Sequence, residues 1–214
     1  MEKLLSTMKK IYLSHLVYSL VRPLVHSLVI LLVTLLATQS LHAQSDLWSR
    51  RHITMLDGLP TNTVRSITQD KDGFIWMGTD NGLCRYDGYN VLTYHNRQLG
   101  ADQFVSAMMP LGKNLLVGST HGAFLLDIEK GRFDLLDQKL NSLVNAFSID
   151  ADGNVWVATR GQGIFCYHPA TRHSTHYPIN KANGILDDVF ADNTNQIWAI
   201  SKAHGCIYHL NKAR

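Results

Sequence analysis

The sequence predicts an all-β fold, a partial β-propeller of about four four-stranded blades that follows an N-terminal signal segment. Three observations support this prediction. A similar line of residues recurs four times from Val64 onward, at intervals of about forty residues. Each copy alternates short strand-forming stretches with turn residues such as Asp-Gly or Asn-Gly. No stretch after residue 44 has a convincing amphipathic helical period.

The N-terminal segment 1–43 has the pattern of a secretory signal peptide. Basic residues such as Lys9 and Lys10 precede the apolar run 28–37, and a small residue, Ala43, stands at a cleavage position. That run is roughly half of the ~20 residues that span a bilayer, but the stretch 24–43 leaves an uncleaved anchor as the alternative. We therefore predict a periplasmic, exported protein, with an inner-membrane anchor as the alternative.

Composition narrows the class of protein. The chain of 214 residues is 45% hydrophobic and 17% charged, which suits a globular domain and not a disordered tail. The signal segment holds four of the 20 Lys and Arg residues and one of the 17 Asp and Glu residues, so the remainder carries equal numbers of both signs. We therefore expect no nucleic-acid partner, and membrane contact only through an uncleaved N-terminal segment.

Four repeats fill most of the exported part, 44–214. They occupy residues 64–95, 105–137, 144–177 and 186–214. One column of the repeat consists of Trp76, Leu116, Trp156 and Trp198, and another consists of Gly82, Gly122, Gly163 and Gly205. A period near forty is typical of a four-stranded propeller blade, which cannot bury its apolar faces alone. We therefore expect the tryptophans to pack between blades and the glycines to form turns.

The array is incomplete at both ends. The stretch 48–54 resembles the outermost strand of a blade whose other strands are missing, and the fourth repeat lacks room for a fourth strand. A closed ring has roughly four to eight blades, so the chain is interpreted as the front part of a longer protein. Exposed blade faces would favour self-association. A truncated remnant without a function of its own is the alternative.

The repeats resemble the two-component regulator propeller repeat. The first copy fits the pattern of that family at eleven positions and is preceded by a matching lead-in, 56–60. These positions are Val64, Ile67, Asp70, Gly73, Ile75, Trp76, Gly78, Thr79, Gly82, Leu83 and Tyr86. The third copy fits well, and the second and fourth are degraded.

In that family the propellers form the periplasmic sensor region of hybrid two-component regulators. The resemblance implies that the chain senses an extracytoplasmic cue, in many members a glycan fragment, so an oligosaccharide is the expected ligand. The kinase of the family is not recognisable in this sequence. We therefore expect no catalytic activity and no cofactor.

The candidate ligand residues are the polar side chains between the second and third strands of each repeat. In a propeller these turns gather at one rim, near the central channel, and they vary while the strands do not. The candidates are Asp80, Asn81, His121, Arg160, Gln162, Lys202 and His204. Unconstrained surface is the alternative interpretation.

Other motifs favour structural roles. The stretches 70–73 and 150–153 resemble calcium loops but lack the closing Glu, so turns are expected. His168, His173 and His176 lack further ligands nearby, and we predict no metal site. A propeller glycosidase or lyase, the remaining alternative, would need paired carboxylates near the axis, where Asp80 is the one acid of its column.

The three cysteines are expected to be unpaired and buried. Cys84, Cys166 and Cys206 lie in three different repeats at non-equivalent positions, and their number is odd. Neither a disulfide framework nor a zinc site fits that arrangement.

Overall fold

The computed structural model describes residues 2–42, 50–95, 99, 103–179 and 184–211, which form two separate units. The first contains helix α1 (Glu2–His42). Its stretch Leu16–Leu35 has a mean hydropathy of 2.0 and is long enough to cross a membrane, a property that signal sequences share. The predicted cleavage position, Ala43, lies outside the described residues.

The chain enters the second unit through a short turn. Arg50 to Thr54, the described part of the predicted strand 48–54, form no strand. The prediction of a strand here is wrong for these residues, because a strand needs a paired neighbour. Instead, Thr54 caps the 3₁₀ turn Met55–Asp57, and its backbone N–H donates to the Asp57 carboxylate at 2.8 Å. Leu59 is buried against the sheet that follows.

Each repeat folds as an antiparallel sheet with its strands in sequence order. Blade 1 consists of β1 (Val64–Gln69), β2 (Ile75–Thr79), β3 (Gly82–Tyr86) and β4 (Val91–Tyr94). Blade 2 consists of β5 (Val105–Leu111), β6 (Asn114–Ser119), β7 (Gly122–Asp127) and β8 (Arg132–Leu135). Blade 3 consists of β9 (Val144–Ile149), β10 (Val155–Thr159), β11 (Ile164–His168) and β12 (His173–Tyr177). Blade 4 consists of β13 (Asp188–Ala191), β14 (Ile197–Ser201) and β15 (Cys206–Leu210).

The blades stack face to face, as the repeat predicts. Trp76 of blade 1 is fully buried in a cluster with Leu115, Val117 and Phe124 of blade 2. Further clusters join blade 2 to blade 3 and blade 3 to blade 4, and they contain Leu116 and Trp156 respectively. The all-β propeller fold is therefore confirmed, with three strands in the described part of the fourth repeat.

One tryptophan departs from the prediction. Trp198 is 37% exposed, whereas Trp76 is 0% exposed. Strand β14 alternates, with Ile197 and Ala199 buried against blade 3 and Trp198 and Ile200 on the opposite face. No described strand covers that face, so the expectation of a fully packed Trp198 is wrong.

The turns between first and second strands are organised by aspartates. Each carboxylate accepts a hydrogen bond from the indole N–H six residues later and from two backbone N–H groups of its own turn. The pairs are Asp70 with Trp76 at 2.7 Å, Asp150 with Trp156 at 2.9 Å, and Asp192 with Trp198 at 3.2 Å. These stretches are turns, as predicted.

None of the three cysteines forms a disulfide, as expected, although they differ in burial. Cys84 and Cys166 are buried, while Cys206 is partly exposed, because its strand is the last of the open blade. Burial raises the pKa of the Cys84 thiol to about 11, against a small lowering by its contact with Thr93.

Candidate functional site

A β-bulge near the start of the innermost strand recurs in three blades. Arg65, Ser106 and Asn145 each occupy the irregular position between two paired residues of that strand. A bulge turns its side chain away from the regular pleat, and bulges are frequent beside functional sites. Here they lie at the end of the blade where the turns between second and third strands also lie.

Bulge residues also contact the following blade. The Ser106 hydroxyl donates to the Val144 carbonyl, and the Asn145 amide donates to the Leu186 carbonyl at 2.6 Å. The Arg65 guanidinium lies 5.7 Å from the centre of the Phe104 ring. The bulges therefore tie neighbouring blades together at this end of the molecule.

A cavity of about 570 Å³ opens at this end, a size within the usual range for ligand pockets. It draws its lining from blade 1, blade 3 and blade 4. The lining residues are Arg65, Asn145, Arg160, Ile185, Asp187, Lys202 and Ala203. We call this the rim cavity.

The charges of the rim cavity are mostly positive. Arg65 binds Asp80 through two contacts of 2.6 and 3.1 Å, and this hydrogen bonding lowers the pKa of the Asp80 carboxyl. Arg160 and Lys202 form no ion pair with any residue that the structure describes. Asp187 is the acid of the lining, and it accepts a 2.6 Å hydrogen bond from the Lys202 backbone. The cavity therefore offers two cations to an anionic ligand.

Of the predicted site residues, the structure places two in the lining of the rim cavity and the others outside it. Arg160 and Lys202 line the rim cavity together. Asp80 is absent from the lining and forms an ion pair with Arg65, which does line the cavity.

The remaining candidates lie elsewhere on the turns. Gln162 is occupied by hydrogen bonds to the backbone of Lys139 and Asn141. His121 contacts the hydroxyl of its neighbour Thr120 at 2.8 Å. Asn81 and His204 are exposed at turn tips and are absent from the lining.

Besides Ile185 and Ala203, three polar lining residues were not predicted, namely Arg65, Asn145 and Asp187. Each follows the first apolar residue of its repeat, Val64, Val144 or Leu186. A polar residue directly after that apolar position could have indicated a site residue. It does not stand out in the sequence, because regular alternation of a strand would also place a polar residue there. At Arg65 and Asn145 the bulge decides where the side chain lies, whereas Asp187 directly precedes β13.

No group of three potential metal ligands occurs among the described residues. His168 contacts Asn154 at 2.7 Å, while His176 contacts the Gln162 carbonyl at 2.6 Å. These two histidines therefore contact different partners and do not bind a common one.

Comparison with known proteins identifies the repeats. The family model described as "Two component regulator propeller" matches residues 58–81 and 138–161. These two stretches are similar to two-component regulator propeller repeats. The matched stretches include the lead-in and second strand of blade 1 and the corresponding part of blade 3.

Relatives of the propeller include signalling proteins. A curated relative, "Histidine kinase P4" of Formosa agariphila, is 40% identical over 57 residues, which are 27% of this chain and 4% of that protein. The extracellular domain of BT4673 from B. thetaiotaomicron, described as a one-component or hybrid two-component system, superposes with a TM-score of 0.63 and 24% identity. That match covers 74% of this chain and 22% of the BT4673 domain.

Enzymes share the fold as well. Virginiamycin B lyase from Staphylococcus aureus superposes with a TM-score of 0.57 and 14% identity, covering 72% of this chain and 57% of the lyase. Identities this low show a common propeller architecture. The chain spans a small part of the signalling proteins that it matches.

Proposed function

We propose that this propeller is part of the extracytoplasmic sensor region of a two-component signalling system. The matched repeat family, the printed descriptions of BT4673 and of the histidine kinase, and the apolar N-terminal helix support this proposal. The role is recognition, and the signal passes to partners outside the described propeller.

The ligand of the proposed sensor is an oligosaccharide that carries carboxylate or sulfate groups. The observation that carries this proposal is the rim cavity with its two unpaired cations, Arg160 and Lys202. Arginine binds planar anions through two parallel hydrogen bonds, and Lys202 adds a mobile point charge. Asn145, whose amide N–H donates to the Leu186 carbonyl, adds a side-chain oxygen that can accept a hydrogen bond from a hydroxyl. A neutral sugar would leave both cations without a partner.

Glycan-array binding by the full chain in mild detergent tests the proposal. We expect acidic oligosaccharides to bind and neutral ones of equal length to bind at least about tenfold more weakly, since one charged hydrogen bond contributes ~1.5–3 kcal/mol. Arg160→Ala with Lys202→Ala should abolish that preference. Arg132→Ala, which removes an exposed arginine of β8 paired with Asp134, is the matched control. Equal binding of neutral and acidic glycans, or unchanged binding by the double variant, would contradict the assignment.

A further inference from the structure

A second cavity lies at the seam between blades 3 and 4, at the opposite end of the strands from the rim cavity. Its volume is about 110 Å³, and it is partly enclosed. Blade 3 contributes Asp150, Asn154, Trp156 and Cys166, and blade 4 contributes Ile197 and Leu210 among others. We call it the seam cavity. The proposed sensor function does not use it.

The repeat itself shows why this space is open. The residue paired across the sheet from the tryptophan column is Arg85 in blade 1, Leu125 in blade 2, Cys166 in blade 3 and His209 in blade 4. Cys166 has the smallest side chain of the four. The seam cavity therefore occupies the place that a larger side chain fills in the other blades.

Two of those side chains are planar nitrogen groups held against aromatic rings. The Arg85 guanidinium lies 4.4 Å from the centre of the Phe74 ring and 5.9 Å from that of Trp76. The His209 imidazole stacks on Trp198 with a centroid distance of 4.0 Å and an angle of 13°. In blades 1 and 4 the position paired with the column tryptophan thus holds a flat, nitrogen-bearing group, which in blade 1 lies closer to Phe74 than to Trp76.

The lining of the seam cavity favours a cation over an anion. Its ten residues include one acid, Asp150, and one histidine, His168, but neither Lys nor Arg. Burial acts to raise the pKa of the Asp150 carboxyl, but hydrogen bonds from Asn154 and Trp156 outweigh it, so the pKa is lowered and the group is ionised at neutral pH. With its hydrogen-bonding positions already occupied, the carboxylate contributes its charge.

The size of the cavity limits the ligand to a few atoms. An engineered cavity of roughly 150 Å³ holds a benzene ring, so about 110 Å³ suits a group no larger than a guanidinium or an imidazole. A guanidinium is planar and weakly hydrated, and it stacks on aromatic faces.

We propose that the seam cavity binds the guanidinium group of a small molecule beside Trp156, in the manner in which Arg85 lies beside Trp76. Such a site would let a small organic cation bridge blade 3 and blade 4. It is independent of the rim cavity and of any glycan bound there.

Methylguanidinium titrated into the full chain in mild detergent tests this inference, with the tryptophan indole N–H signals followed by NMR. We expect the Trp156 signal to shift and saturate in the millimolar range, because so small a probe makes few contacts. The Trp76 signal should stay in place, since Arg85 already fills its site. Tetramethylammonium, which is charged but not planar, and urea, which is planar but neutral, should bind at least about tenfold more weakly.

Variants that fill the cavity provide the second half of the test. Cys166→Arg copies blade 1 and Cys166→Leu copies blade 2, so each introduces a side chain that the repeat already accommodates. Both should remove the saturable shift, while Cys206→Ser, outside the lining, should preserve it. A shift that survives in either folded variant would overturn the assignment. So would equal binding of the two comparison probes, or no saturation by a wild-type protein with dispersed signals.

Discussion

At the scale of single residues, the aspartate and tryptophan columns act as pairs. Each buried or half-buried indole N–H finds its acceptor in the carboxylate of the preceding turn, and the same carboxylate satisfies the backbone of that turn. Blade 2 supports this interpretation because it lacks both partners. Leu116 replaces the tryptophan, and Pro110 stands six residues before it. Because blade 2 has neither the indole N–H nor the carboxylate, neither group is left buried without a hydrogen-bond partner there.

We predict that Asp70→Ala lowers the free energy of unfolding by about 1–3 kcal/mol, because it leaves the fully buried Trp76 indole N–H without an acceptor. Asp72→Ala in the same turn removes an exposed ion pair with Lys71 and should cost less than ~1 kcal/mol. Urea unfolding of both variants measures the difference. Equal losses would show that the buried hydrogen bond is unimportant.

At the scale of the strand and turn, two separate constraints act on glycines of the repeat column, as Gly122 and Gly163 show. Gly122 has a φ of +117°, which favours a residue without a side chain. A Cβ at Gly122 would also collide with the Leu140 carbonyl oxygen, in the segment that leads to blade 3. Gly163 is similar, since its Cβ would lie 2.7 Å from the Tyr177 carbonyl oxygen. The turn and the packing of the next segment therefore constrain the same position.

Gly122→Ala and Gly131→Ala separate these constraints. Gly131 has a φ of +63° with no atom near its would-be Cβ, so alanine there should cost only the backbone strain, about 1–3 kcal/mol. Gly122→Ala should cost clearly more, since a backbone atom must also move. Thermal unfolding of the two variants provides the measurement, and a smaller effect at Gly122 would refute the role of the close approach.

At the scale of the whole propeller, blade 4 presents an uncovered face. Phe190, Trp198, Ile200 and Ile207 are 62%, 37%, 41% and 67% exposed, and the apolar residues that alternate with them are buried or partly buried. The matching faces of blades 1 to 3 each pack against the next blade. Exposed apolar side chains on one face of a sheet favour burial against another surface. We propose that two copies of the chain associate through such end faces.

Phe190→Asp combined with Ile207→Asp should weaken that association at least about tenfold, because burying unpaired carboxylates costs more than ~1.4 kcal/mol. Leu92→Asp is the matched control, since Leu92 is also half-exposed but lies on the outer strand of blade 1. Sedimentation over a range of concentrations measures the equilibrium. The proposal fails if the double variant and the control associate alike.

The sequence by itself determined the blade. Because strand alternation and turn residues act over a few positions, the strands, their order and most of the turn glycines followed from the repeat. The roles of Trp76 and Trp156 also followed, since a column that recurs in every blade has to face a neighbour. The burial of Trp198 could not be predicted in this way, because it depends on whether another blade covers its face and not on its own repeat.

Only the tertiary structure decided which polar side chains meet. Arg160 and Lys202 were predicted as members of a set of turn residues, but their sharing of a cavity with Arg65 and Asp187 depends on the rotation from one blade to the next. The pairing of Asp80 with Arg65 and the space beside Cys166 likewise arise from bulges and side-chain volumes. A repeated sequence specifies each sheet through local contacts, whereas these sites are formed by residues far apart in the chain, and their geometry exists only once the blades have stacked.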